Sequence, residues 1–580
     1  MKIDAKDIVV SLLIAILLVM GSFLFFQFAQ PYALFFKEQT QLFLFTSEYF
    51  LSYLDKPGTL ACLVGDFLTQ FLYLRGAGAL VVSLFLLLEW IMAFAVLKRL
   101  GCGTLAPLWA LLPVFAEGLF LAQLYYTLAI PVTWLLAMGS FLCYSAIRRR
   151  WLALLAGIVS VPFLYSLTGA GMFLFVLLLF LYEIYRRRGL AGAALLILVF
   201  AAAYPYLIRS LYLLTATQAY LYPLAQGRYG LSAVVLLLLA VIAVALSSQR
   251  DKVTARTFSF HVLWILILGI ASFVFAVDKE RETNLALASE AYFGNWERVY
   301  DLAEKEKQPN ALATYYANIS LSRRGELGDR LMEFYQPGGA GLFLPVNPEA
   351  NWFTIFFSSD VHYYLGDMNM AQHSAMLGMI FSPRHRSSRM VKRLAEIHLA
   401  LGDSAAAEKY LRLLDATLYH KKWAARMRDA LYSEQPGDYP WLTQQKERLT
   451  TTDRLRRAAD YPAALEALLE SNPENLPARD YLLSYHLLTK NMPAFKAAFD
   501  RYAKTKGAYI PRAYSEALLI YLAATNASEK EFKTYTFDEA VVKAFAEYTA
   551  LYEEMKGRLE PVRERFEGTY WMYYHFAEVN

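Results

Sequence analysis

The hydrophobic positions divide this chain into two halves. Up to Ala276, apolar blocks recur at roughly twenty-residue intervals; beyond it, no apolar run is long enough to cross a bilayer. A hydrocarbon core of about 30 Å takes about 20 helical residues. On that measure nine spans are predicted, at 8–28, 78–97, 104–119, 124–147, 151–168, 170–185, 189–208, 230–248 and 260–277. Pro107 and Pro113 interrupt the third. The last, His261 to Ala276, is closed by the charged run Asp278-Lys279-Glu280-Arg281-Glu282. The expected fold class is all-α, with a polytopic transmembrane helix bundle over 1–278 and a water-soluble helical domain over 279–580.

The second half reads as helical hairpins. Turn signals recur at Phe293-Gly294-Asn295, Arg324-Gly325-Glu326, Leu365-Gly366-Asp367, Leu401-Gly402-Asp403, Ala459-Asp460-Tyr461 and Lys490-Asn491-Met492, each between helical stretches. Helix-turn-helix units at intervals of about 34 residues are the tetratricopeptide signature. Residues 282–530 resemble degenerate tetratricopeptide repeats, with irregular intervals and without the full Trp-Leu-Gly-Tyr pattern. Gln336-Pro337-Gly338-Gly339 and Asn347-Pro348 mark a longer inserted loop. The resemblance implies a groove that holds a protein or glycan partner.

Composition and charge sharpen this division. The chain has 580 residues, 57% hydrophobic and only 18% charged, with a mean hydropathy of +0.31. The apolar excess lies in the first half, as in an integral membrane protein. The net charge of +5 comes from short basic clusters between spans, so nothing points to a nucleic-acid partner. Those clusters are Lys2 and Lys6, Lys98-Arg99, Arg148 to Arg150, Arg186 to Arg188, and Arg250, Lys252 and Arg256; they fall at alternate ends of the spans. By the positive-inside rule these ends are cytoplasmic, which puts the N-terminus inside and 279–580 outside the cytoplasm. The first span lacks a small-residue cleavage site and is expected to stay uncleaved. Cys62, Cys102 and Cys143 form no CxxC or Cys/His spacing, so neither a zinc site nor a disulfide framework is indicated.

Candidate chemistry concentrates in the first far-side loop, 29–77. From Lys37 to Lys56, helical spacing places Gln41, Glu48, Ser52 and Asp55 opposite Phe43, Phe50 and Leu54, which predicts an amphipathic helix in the interface plane. Pro57-Gly58 ends it, and Thr59 to Leu74 supplies a second apolar segment carrying Asp66 and Gln70. Two interfacial helices after the first span resemble the GT-C glycosyltransferases. That resemblance implies a catalytic carboxylate in this loop and a lipid-linked sugar donor. Glu38 would be the base, with Glu48 and Asp66 as alternatives, and Arg209 and Arg228 would meet the donor phosphate. The loop has no Asp-Asp or Asp-x-Asp pair, so no metal ligands are assigned and metal dependence stays open. The membrane half also resembles a bacterial family of multi-span membrane proteins with no assigned function, which implies the cytoplasmic membrane and brings no residue roles.

Glu89 lies near the middle of the 78–97 span, where a charged carboxylate costs about 2.5–3.5 kcal/mol on insertion scales. It reads either as a neutral acid bonded to a neighbouring span or as part of an ion path. No pair of broken spans marks a secondary transporter. The sequence contains no GxxxxGK[ST], HExxH or GxSxG motif and identifies no cofactor. Two functions remain: a transferase using a lipid-linked sugar, or a non-catalytic envelope scaffold that recruits partner proteins through its repeats. Membrane lipid is the partner common to both, and whether the chain is an enzyme is open. Reporter fusions at Arg150, Arg188 and Asn284 are expected to read inside, inside and outside; an inside signal at Asn284 would refute an odd number of spans.

Overall fold

The computed structural model describes residues 5–578 except 187–189, 226, 247–253, 307, 347–351, 433–438, 452–459, 506 and 556–557. Lys2, Arg187, Arg188, Arg250, Lys252, Asn347-Pro348 and Ala459, used above, lie outside the described residues. Among those described there are helices and no strand. The chain divides into two compact units: Met1–Glu282 with Ala416–Tyr419, and Thr283–Asp415 with His420–Asn580.

Seven helices of the first unit are long and apolar enough to cross a membrane: Val9–Ala29, Ala77–Arg99, Ala129–Ala146, Arg150–Thr168, Ala191–Ile208, Gly227–Leu246 and Arg256–Ala276. They mark the chain as a membrane protein. Outward positions such as Leu196, Val199 and Phe275 are left exposed, as lipid-facing side chains are. Two expected spans, 104–119 and 170–185, appear instead as the shorter apolar helices Ala106–Leu121 and Gly171–Tyr185, beside a third, Thr59–Tyr73. The first of these opens on Pro107 and changes from one helical segment to the next at Ala110.

The single amphipathic helix expected from Lys37 to Lys56 does not form. A helix at Pro31–Gln39 is followed by the non-helical stretch 41–45, the short helix Ser47–Leu51 and a 3-10 turn at Ser52–Asp55. In the non-helical stretch Leu42, Phe43 and Leu44 are all buried in succession. Phe43 packs edge-on against Tyr49, Phe50 and Phe67, and extended Thr46 then accepts from Tyr49 N at 3.3 Å to start the next helix.

The Pro31–Gln39 helix is tied to the end of the last span. Pro31 occupies its first turn, and the Glu282 carboxylate accepts from the backbone N–H of Tyr32 at 2.7 Å and Ala33 at 3.2 Å. An anion here satisfies orphan donors and meets the positive end of the helix dipole. The Gln30 amide adds a bond to the Ala276 carbonyl at 2.6 Å.

In the second unit successive helices pair across short turns, as in Trp352–Leu365 with Met368–Phe381 and Ser388–Leu401 with Ser404–Asp415. Gly402 closes its helix in the left-handed region, and Asp403 accepts from Ala406 N at 3.0 Å to cap the next. Gly366, at φ +96°, is forced twice over: a Cβ there would lie 2.4 Å from the Arg448 carbonyl oxygen. Tyr315, Tyr316, Phe356, Phe357 and Leu394 are fully buried between these helices.

Burial pushes the Glu282 carboxyl up to about 7, although its two backbone N–H bonds pull the other way. Its folded value stands above its ordinary 4.5, so its contribution to stability is full below about 4.5 and is lost as pH rises through about 7. In Glu282→Gln the thermal midpoint is therefore expected to vary less with pH between those limits than in the parent. Equal slopes would mean that Glu282 does not titrate in that window.

Candidate ligand-binding cleft

The second unit holds a cleft built from residues at helical spacing. The Ser388–Leu401 helix presents Arg389, Lys392, Arg393 and Glu396 at i, i+3, i+4 and i+7, one continuous face. The Trp352–Leu365 helix presents Asp360, Tyr363 and Tyr364 at i, i+3 and i+4. At the cleft floor Asp360 is shared by two arginines. Its Oδ2 accepts from Arg389 Nη2 at 2.5 Å and from the Tyr316 hydroxyl at 2.9 Å, and its Oδ1 accepts from Arg393 Nη2 at 3.0 Å. Arg389 also donates to the Ala288 carbonyl at 3.1 Å, and Arg393 to Glu396 at 2.9 Å. Burial drives the Asp360 carboxyl upward, but the Arg389 and Arg393 guanidinium groups outweigh it and hold it below its usual range.

Aromatic rings flank these cations. Arg393 lies 4.2 Å from the Tyr363 ring centre, and Lys392 lies 4.4 Å from Tyr292 and 5.3 Å from Trp423. Arg323 differs. It comes from the end of the Ala311–Arg324 helix, is exposed, and sits with its guanidinium 4.3 Å from the Trp296 ring and 4.6 Å from Tyr364. Among the described residues it makes no ion pair and no hydrogen bond. A further wall is the Pro440–Glu447 helix, which turns Trp441, Gln444 and Gln445 toward the cleft at i, i+3 and i+4. Gln445 is only 4% exposed, and its Oε1 has no hydrogen-bond partner. The cleft's volume is about 430 Å³. Among the described residues no group of three His, Cys, Asp or Glu is placed to hold a metal ion. The cleft offers a cation, flat apolar rings and amides, which is equipment for binding.

Residues 6–577 match a family of unknown function, DUF6057. The chain belongs to that family. No curated protein and no solved structure matches it.

The DUF6057 chain places the residues singled out from sequence as follows. Glu38 is buried near the end of Pro31–Gln39. Glu48 is exposed on Ser47–Leu51. Asp66 is buried on Thr59–Thr69, where its carboxylate accepts from the Tyr53 hydroxyl at 2.8 Å and its carbonyl from the Gln41 amide at 3.0 Å. Arg209 lies 4.3 Å from the Tyr206 ring, and exposed Arg228 lies 5.4 Å from Tyr229.

Glu89 is buried with no hydrogen-bond partner on Oε2, and it is not alone. Glu117 is fully buried inside Leu111–Leu121, near enough to act on Glu89 electrostatically. Its carboxylate accepts from the Tyr126 hydroxyl and, at 2.6 Å, from Ser232. Beside it Lys37 donates to the carbonyls of Leu121 at 2.7 Å and Tyr126 at 2.9 Å. Sequence reasoning missed this polar cluster, because its members come from separate segments. The cleft was missed for a different reason: the stripe at 389, 392, 393 and 396 was legible but reads as an ordinary solvated helix face.

Asp360→Asn should leave the buried Arg389, 2% exposed, without its counter-charge, at a cost of about 3–5 kcal/mol. Glu396→Gln, at a more open position, should cost about 1 kcal/mol or less. Denaturant unfolding of the two variants checks this, and equal losses would show that Asp360 is not the holding charge.

Proposed function

We propose that this protein is a non-catalytic membrane scaffold that recruits a partner through the cleft around Arg323. The observation that carries this reading is an exposed guanidinium, held between Trp296 and Tyr364, with no acid of the chain to neutralise it among the described residues. Arginine held against two rings is preorganised for a planar anion and loses little entropy on binding. The helical hairpins of the second unit would serve as tetratricopeptide-like walls for that partner. The location that fits the basic clusters is a bacterial inner membrane, with the N-terminus cytoplasmic and the helical unit in the cell envelope outside it.

A second reading, a GT-C-like transferase with Glu38 as base, draws support from the neighbourhood of Glu38. Burial brings the adjacent Lys37 amine down to about 7, with the Arg281 charge acting in the same direction, so a proton can leave it near neutral pH. In that reading a lipid-linked sugar would be the donor, with its phosphate held by Arg209 and Arg228.

Complementation of a deletion strain at matched expression separates the two. Under the scaffold reading, Arg323→Gln loses function and Glu38→Gln is silent. Under the transferase reading, Glu38→Gln abolishes function and Arg323→Gln is silent. Full rescue by Arg323→Gln would sink the scaffold reading.

A further inference from the structure

Resting on the recruitment reading above, we propose that the occupant of this cleft is a saccharide chain bearing carboxylates, a uronic-acid type of glycan. Four cations line the cleft, and three are already engaged. Arg389 and Arg393 share Asp360, and Lys392 lies 3.8 Å from Glu396. Two carboxylates, Asp360 and Glu396, serve those three cations, and Arg323 alone has no acid partner among the described residues, so the lining keeps an excess of two positive charges. That excess suits an anionic chain with carboxylates set at intervals along it.

The rest of the lining says what that chain is. Gln445 is buried with Oε1 unpartnered, and an unmet buried acceptor loses free energy until a donor fills it. Exposed Gln444 stands one residue away on the same helix turn. Two side-chain amides beside Trp441 and Trp423 match a ring that carries hydroxyls at its edge and C–H groups on its face. An extended peptide is matched less well. It binds by main-chain hydrogen bonds to a free edge, whereas these walls are helices whose backbone groups already bond within the helix. The volume, about 430 Å³, lies in the range of about 300–1,000 Å³ for small-ligand sites and suits a short stretch of such a chain.

The test uses the full-length protein in detergent, titrated with tetragalacturonate while tryptophan fluorescence is followed. Neutral galactotetraose and hexaglutamate serve as controls, and a printed array of acidic and neutral glycans is read in parallel. Tetragalacturonate or another carboxylated glycan should bind, with galactotetraose and hexaglutamate at least tenfold weaker. Arg323→Gln should cost about tenfold or more, the weight of a charge-assisted bond, and Arg323→Lys less. Gln445→Leu should weaken binding while leaving its salt dependence unchanged. Because Arg323 pairs with no acid, its replacement strands no charge, and an unchanged helical spectrum confirms folding. Hexaglutamate binding as tightly as the glycans, neutral glycans binding equally, or no carboxylated glycan binding at all would overturn the assignment. If Arg323→Gln fails to complement and no acidic glycan binds, recruitment survives and the saccharide falls. If Arg323→Gln complements fully, the recruitment reading itself falls.

Discussion

The cleft of the second unit depends on one buried carboxylate. Asp360 accepts from Arg389, Arg393 and Tyr316 together, and these residues come from three different helices. Taking such charges out of water costs several kcal/mol per ion, and only near-complete pairing offsets it. The arginines cannot turn outward without stranding Asp360, and Asp360 cannot move without stranding them. The helix faces that carry Tyr363, Lys392 and Glu396 are fixed by the same bonds, so the cleft is held in shape before any ligand arrives.

That rigidity gives the free cation its meaning. Arg323 sits between two rings at the edge of a charge network that is otherwise satisfied. In water a guanidinium exchanges partners readily, but one held within 4.3 and 4.6 Å of two ring centres keeps less freedom to turn. The neighbouring buried amide of Gln445 adds a second unmet group of opposite hydrogen-bonding sense. A donor and an acceptor, both positioned and both waiting, are what separate a binding cleft from a groove between packed helices.

The membrane unit follows the same rule with different parts. Lys37 is buried and spends its ammonium on two backbone carbonyls, and Glu117 takes hydroxyl donors from Tyr126 and Ser232. Glu282 caps the helix that begins at Pro31. Each of these three charged groups is met by partners outside its own helix, in surroundings where lipid can supply none.

How much of this lay in the sequence depends on range. Apolar runs near twenty residues long determined the membrane helices, since span length is a property of the bilayer and is read locally. Gly-Asp pairs such as Gly402-Asp403 determined the hairpin turns, since one residue ends a helix and the next caps its successor. The stretch from Leu42 to Leu44 departs from the helical period expected there, and its Phe43 ring packs against Tyr49, Phe50 and Phe67 from other segments. Glu117, Lys37 and the Arg389–Asp360–Arg393 bonds were likewise invisible, because a charge's partner is chosen by packing across many residues and leaves no local spacing. The sequence determined the long membrane helices and the glycine-closed turns; only the tertiary structure decided which charges meet, because pairing buried ions is a global cost that no single segment carries.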